Sequence, residues 1–71
     1  MCRNIKQLRR PDGVPPTHEE LEAAALQFVR KVSGYRKPSR ANQEAFERAV
    51  ADIAAAARAL FDEIVVPRHT A

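Results

Sequence analysis

Cys2 is the only cysteine in the sequence, and it is the one side chain here with nucleophilic chemistry of its own. Excision of Met1 is expected before so small a second residue. It would leave an N-terminal cysteine whose free α-amine lies beside its thiol, a pair able to chelate a metal or attack an electrophile. Arg3 and Lys6 favour the thiolate, which is the reactive form. Against this, Cys2, Ile5 and Leu8 are spaced i, i+3, i+6, and free cysteine is commonly a small buried hydrophobe. No residue presents itself as the base that a cysteine nucleophile needs. A thiol-based redox, metal-carrying or nucleophilic protein is therefore the alternative reading, and slow alkylation of Cys2 is the expected result. His18 and His69 are the other ligand-type side chains of note, and one cysteine with two scattered histidines does not make the four-ligand set of a structural zinc site. Neither a metal nor a cofactor is expected.

The second chemistry available is attraction of anions. Residues 1–16 carry Arg3, Lys6, Arg9 and Arg10 against Asp12 alone, whereas the remaining cations and acids balance, so this arm carries the whole net charge of +3. A basic arm binds phosphate polymers or acidic proteins through sequence-blind electrostatics; as a solvated tail it would serve solubility alone. A second cluster, Arg30, Lys31, Arg36, Lys37 and Arg40, surrounds Tyr35. Arg36, Lys37, Arg40 and Tyr35 form the candidate anion site. Backbone N–H groups at a helix start, with Lys37 and Arg40 beside them, suit a phosphate or carboxylate, and Tyr35 suits stacking on a base. Ordinary loop composition explains the same cations without a ligand. Gly13 and Gly34 are the only glycines, so no glycine-rich phosphate loop exists, and the carboxylates offer no paired active-site acid and base.

These clusters are placed by two helices. Thr17-His18-Glu19-Glu20 has the form of a capping box, with the Thr17 hydroxyl and the Glu20 carboxylate satisfying each other's backbone N–H groups. Acids follow in the first turn and Arg30 and Lys31 lie in the last, as the helix dipole favours. Leu21, Ala25, Phe28 and Val32, widened by Ala24 and Val29, make an apolar stripe, and Gly34 supplies the left-handed closing residue. The spacing predicts a helix over 18–33. Ser39 is the expected cap of a second helix over 40–65, whose stripe runs Phe46, Ala49, Val50, Ile53, Ala57, Leu60, Phe61 and Ile64. Pro67 disfavours helix at Val66. Before both, Cys2 to Leu8 suggest a short helix or helical turn, and Pro11 to Pro16 a turn followed by a stiff connector.

A chain of 71 residues has room for one small core and cannot be stapled by an internal disulfide. The expected fold is all-α: an antiparallel hairpin of 18–33 and 40–65 (domain 17–66, with arm 1–16 and tail 67–71). Phe28, Val32, Phe46, Val50, Ile53 and Leu60 are its expected core. The longer helix overhangs the shorter, so Leu60, Phe61 and Ile64 need a cover, either Ile5 and Leu8 of the arm or a second subunit in a homodimer. No apolar run reaches membrane-span length and the start lacks the apolar stretch of a signal peptide, which makes the cytoplasm the expected location.

Three blocks, Met1-Cys2-Arg3-Asn4-Ile5-Lys6, Ala23 to Gly34, and Lys37-Pro38-Ser39 with Ala41-Asn42 and Ala45-Phe46, resemble a small bacterial family catalogued as domain of unknown function 2277. The resemblance covers the chain to about Leu60. It implies a small bacterial protein without established activity, cofactor or site, so no functional residue carries over from it. The residues favour a non-enzymatic binding module over an enzyme, with nucleic acid or an acidic protein as partner and no membrane contact.

Overall fold

The computed structural model describes residues 5–64. Two α-helices pack against each other as a hairpin: α1, His18–Ser33, and α2, Gln43–Glu63. A short 3-10 turn, Arg40–Asn42, leads into α2. No strand occurs among the described residues, and none of their helices is long and apolar enough to cross a membrane.

α1 begins and ends as its residue types require. Thr17 is extended (ψ 165°), so its Oγ1 accepts from the N–H of Glu20 at 3.1 Å, while the Glu20 carboxylate accepts from the N–H of Thr17 at 2.8 Å. At the other end Gly34 takes φ 77°, a region that penalises any Cβ, and its N–H donates to the Arg30 carbonyl at 2.9 Å. α2 starts differently from the sequence expectation. Ser39 makes no cap to a backbone N–H; its hydroxyl instead accepts from the Asn42 amide at 2.9 Å, and the first residues tighten into the 3-10 turn. α2 ends at Glu63 with Ile64 as its cap; Val65 lies outside the described residues.

The buried strip is narrower than the apolar stripe. On α1 it is the i, i+4, i+8 row Leu21, Ala25 and Val29, and on α2 Ala54 is buried, with Phe46 and Val50 half-buried in the same row. Rows at spacing four are the ridges by which helices interdigitate. Leu21 and Ala25 are each 2% exposed, and alanines at 25 and 54 let the backbones approach. The expected core is therefore corrected at three positions: Phe28 is 44% exposed, Val32 64% and Leu60 58%. Phe28 and Leu60 lie to one side of the contact row by helical geometry, whereas Val32 shares the angular position of that row and is exposed in the last turn of α1. Phe28 precedes Val29, and Leu60 precedes the half-buried Phe61, by one residue and hence about 100°. Ile53 is half-buried.

The arm has no helix from Ile5 to Arg10; the helical expectation over Cys2 to Leu8 fails on its described part, and Cys2 lies outside the described residues. An isolated stretch this short does not sustain a helix in water. The connector carries a turn at Pro11 and Asp12, where the N–H of Gly13 (φ 80°) donates to the Arg10 carbonyl and that of Val14 to Asp12 Oδ1. This segment is the part of the arm that reaches the end of the longer helix. Arg9, Pro11, Val14 and Pro15 face Phe61 and Ile64 across a cleft of about 190 Å³. Ile5 and Leu8 lie along α1 instead, half-buried.

Candidate functional site

The junction between the helices is held by side-chain bonds to its own backbone. Tyr35 N–H donates to Ser33 Oγ at 3.1 Å. Arg30 Nε donates to the Arg36 carbonyl at 3.1 Å, which draws the last turn of α1 and the following loop together. The Asn42 amide, bonded to Ser39, also donates to the Tyr35 hydroxyl at 3.4 Å. Tyr35 is thereby tied to the start of α2 while remaining 41% exposed.

This arrangement divides the predicted anion site. Tyr35 and Arg36 line a cleft of about 290 Å³ together with Gln27, Arg30, Lys31 and Gly34. Lys37 lines a different and larger cleft between the helices, and Arg40 stands exposed on the 3-10 turn. The cations gathered around one concavity are thus Arg30, Lys31 and Arg36, two of them from the final turn of α1, where they also complement the negative end of the helix dipole.

The arm is likewise distributed. Lys6 is exposed and, with Ile5 and Leu8, lines a cleft of about 330 Å³ against the outer face of α1, where Glu19, Glu20, Ala23, Ala24 and Gln27 form the wall. Arg10 is committed elsewhere. Its guanidinium pairs with Glu20 at 2.6 Å and donates to the Pro15 carbonyl at 3.4 Å, fixing the connector to the first turn of α1. The N–H of Thr17 is the largest influence holding the Glu20 carboxyl below its ordinary value of 4.5, and the charge and hydrogen bond of Arg10 act in the same direction. Arg9 belongs to the connector beside Phe61 and Ile64, and Arg3 lies outside the described residues.

Gln27 lines both the arm cleft and the junction cleft. Arm and junction, 24 residues apart between Lys6 and Arg30, therefore adjoin on the outer face of α1. Sequence reasoning missed Gln27 and Asn42. A signal for the second existed in the Ser39-x-x-Asn42 spacing, which places two hydrogen-bonding side chains within one turn. Nothing marked Gln27 before the path of the arm was known.

A family model matches residues 1–71, the whole sequence, under the description of an uncharacterized conserved protein, DUF2277. The chain belongs to this family. No curated protein and no solved structure matches it. As a DUF2277 member it inherits no assigned site. Among its described residues no group of three histidine, cysteine or acidic side chains is placed to hold a metal ion.

Proposed function

We propose that this chain is a small, non-enzymatic helical binding module that uses its basic arm and basic inter-helix junction to contact an anionic partner, a nucleic acid or an acidic protein, in the cytoplasm. The observation that supports this reading is Gln27, which lines both the arm cleft with Lys6 and the junction cleft with Arg30, Lys31 and Arg36. Of the two acids that line the arm cleft, Glu20 is already paired with Arg10, which leaves Glu19 as that cleft's one acid without such a pair among the described residues. Tyr35 adds a stacking surface of the kind by which single-stranded bases are held without sequence preference. Such a face attracts phosphates or carboxylates most strongly at low ionic strength.

Titration of the full chain against single-stranded and duplex DNA and RNA, and against an acidic peptide, at two salt concentrations tests the proposal. Binding that weakens steeply with salt is expected for at least one of these. Absence of binding to all of them at low salt would remove the reading, because the electrostatic attraction is greatest there.

A further inference from the structure

A further cleft among the described residues has the opposite character to the basic face. Between α1 and α2 lies a cleft of about 650 Å³ whose floor is apolar, built from Ala23, Leu26, Phe46 and Val50. Its rim carries Glu19, Glu22 and Glu47 against a single cation, Lys37. Glu22 meets only His18, at 3.3 Å, and Glu47 accepts only from the neutral Gln43 amide, at 3.0 Å. No arginine or lysine pairs with any of these three carboxylates among the described residues. The rim is therefore net negative on a chain whose formal charge is +3.

We infer that this cleft docks an amphipathic helix of another protein that carries apolar anchors on one face and lysine or arginine on its flanks. The dimensions fit that occupant. The lining runs from Glu19 to Leu26 on α1 and from Gln43 to Ala51 on α2, which at 1.5 Å per residue is a trough of about 10–12 Å, or two helical turns. Two turns accept anchors at i, i+3 or i+4, and i+7, the pattern by which a helix is read in a groove. A third helix laid there would complete a three-helix layer over a hairpin whose buried apolar core, among the described residues, is Leu21, Ala25, Val29 and Ala54. Flanking cations on that helix would meet Glu19 and Glu22 on one side and Glu47 on the other. The overall positive charge opposes approach of any cationic peptide, so binding must come from the local rim and the floor.

The probes are two synthetic amphipathic peptides of equal length with the same leucine and alanine face, one flanked by lysines and the other by glutamates. Amide chemical shifts of the full chain and fluorescence anisotropy of the labelled peptide report binding. The lysine-flanked peptide is expected to bind and to shift resonances of Ala23, Leu26, Phe46 and Val50. The triple change E19Q/E22Q/E47Q should weaken it about fivefold, the combined effect of losing three exposed charge contacts. Circular dichroism of the triple variant checks that the hairpin is retained; a lysine variant, L26K, supplies a second loss by blocking the floor. Equal binding of both peptides, no binding of the lysine-flanked one, or indifference to E19Q/E22Q/E47Q would overturn the inference. So would self-association that protects the cleft, because a second copy would then be its occupant. Glu19 and Ala23 also line the arm cleft, so the double change E22Q/E47Q, at residues that line neither the arm cleft nor the junction cleft, separates failure of this inference from failure of the basic face.

Discussion

At the scale of single residues the most informative group is the reciprocal set formed by Thr17, Glu20 and Arg10. The capping box was legible in the sequence because its chemistry is local: four consecutive residues decide it. The pairing of Arg10 with Glu20 was not, since it depends on the turn of Gly13 bringing the connector back along α1. Two expectations follow. Thr17→Ala removes one acceptor from the helix start and should lower the unfolding free energy by about 1 kcal/mol, as read by urea denaturation. The Glu20 carboxyl is held below its ordinary value of 4.5 in the folded chain, so its contribution is complete above that value and is lost as the pH falls through the lowered one. Thermal unfolding followed from about pH 7 to about pH 3 should show a fall in Tm that is shallower in Glu20→Gln, which has no carboxyl to protonate. Identical profiles for the two proteins would mean that Glu20 contributes nothing through its charge.

At the scale of elements the helices were read with nearly correct limits, because periodicity, caps and Gly34 all point the same way. Which side of each stripe is buried was read less well. An apolar stripe about 100° wide accommodates several contact rows, and the row in use is chosen by how one helix crosses the other, which no single helix encodes. The choice fell on Leu21, Ala25 and Val29 rather than Phe28 and Val32. Substitutions separate the two cases. Leu21→Ala should cost about 2–5 kcal/mol, as for other large-to-small core changes. Leu60→Ala, at a side chain 58% exposed, should stay within about 1 kcal/mol. Denaturant midpoints measure both; a larger loss at Leu60 than at Leu21 would reverse the assignment of the core.

At the scale of the whole molecule the charge pattern acquires a meaning that linear order hid. The sequence showed a basic arm and a basic junction as separate segments, and read Arg36, Lys37, Arg40 and Tyr35 as one group. In the fold Lys37 lines the acidic-rimmed cleft, Arg10 pairs with Glu20, and the cleft of Lys6 shares Gln27 with the cleft of Arg30, Lys31 and Arg36. That regrouping depends on the arm crossing the outer face of α1, a long-range placement with no periodic signal to announce it. The claim that arm and junction act as one anion-binding face is tested most directly by titrating the chain, Lys6→Ala, Arg36→Ala and the double variant against a single-stranded oligonucleotide and an acidic peptide at low salt. The account predicts that each single change weakens the same interaction, that the salt dependence for the oligonucleotide falls by about one phosphate contact per lysine or arginine removed, and that the double variant loses both. Binding that depends on only one of the two residues, or on neither, would contradict it.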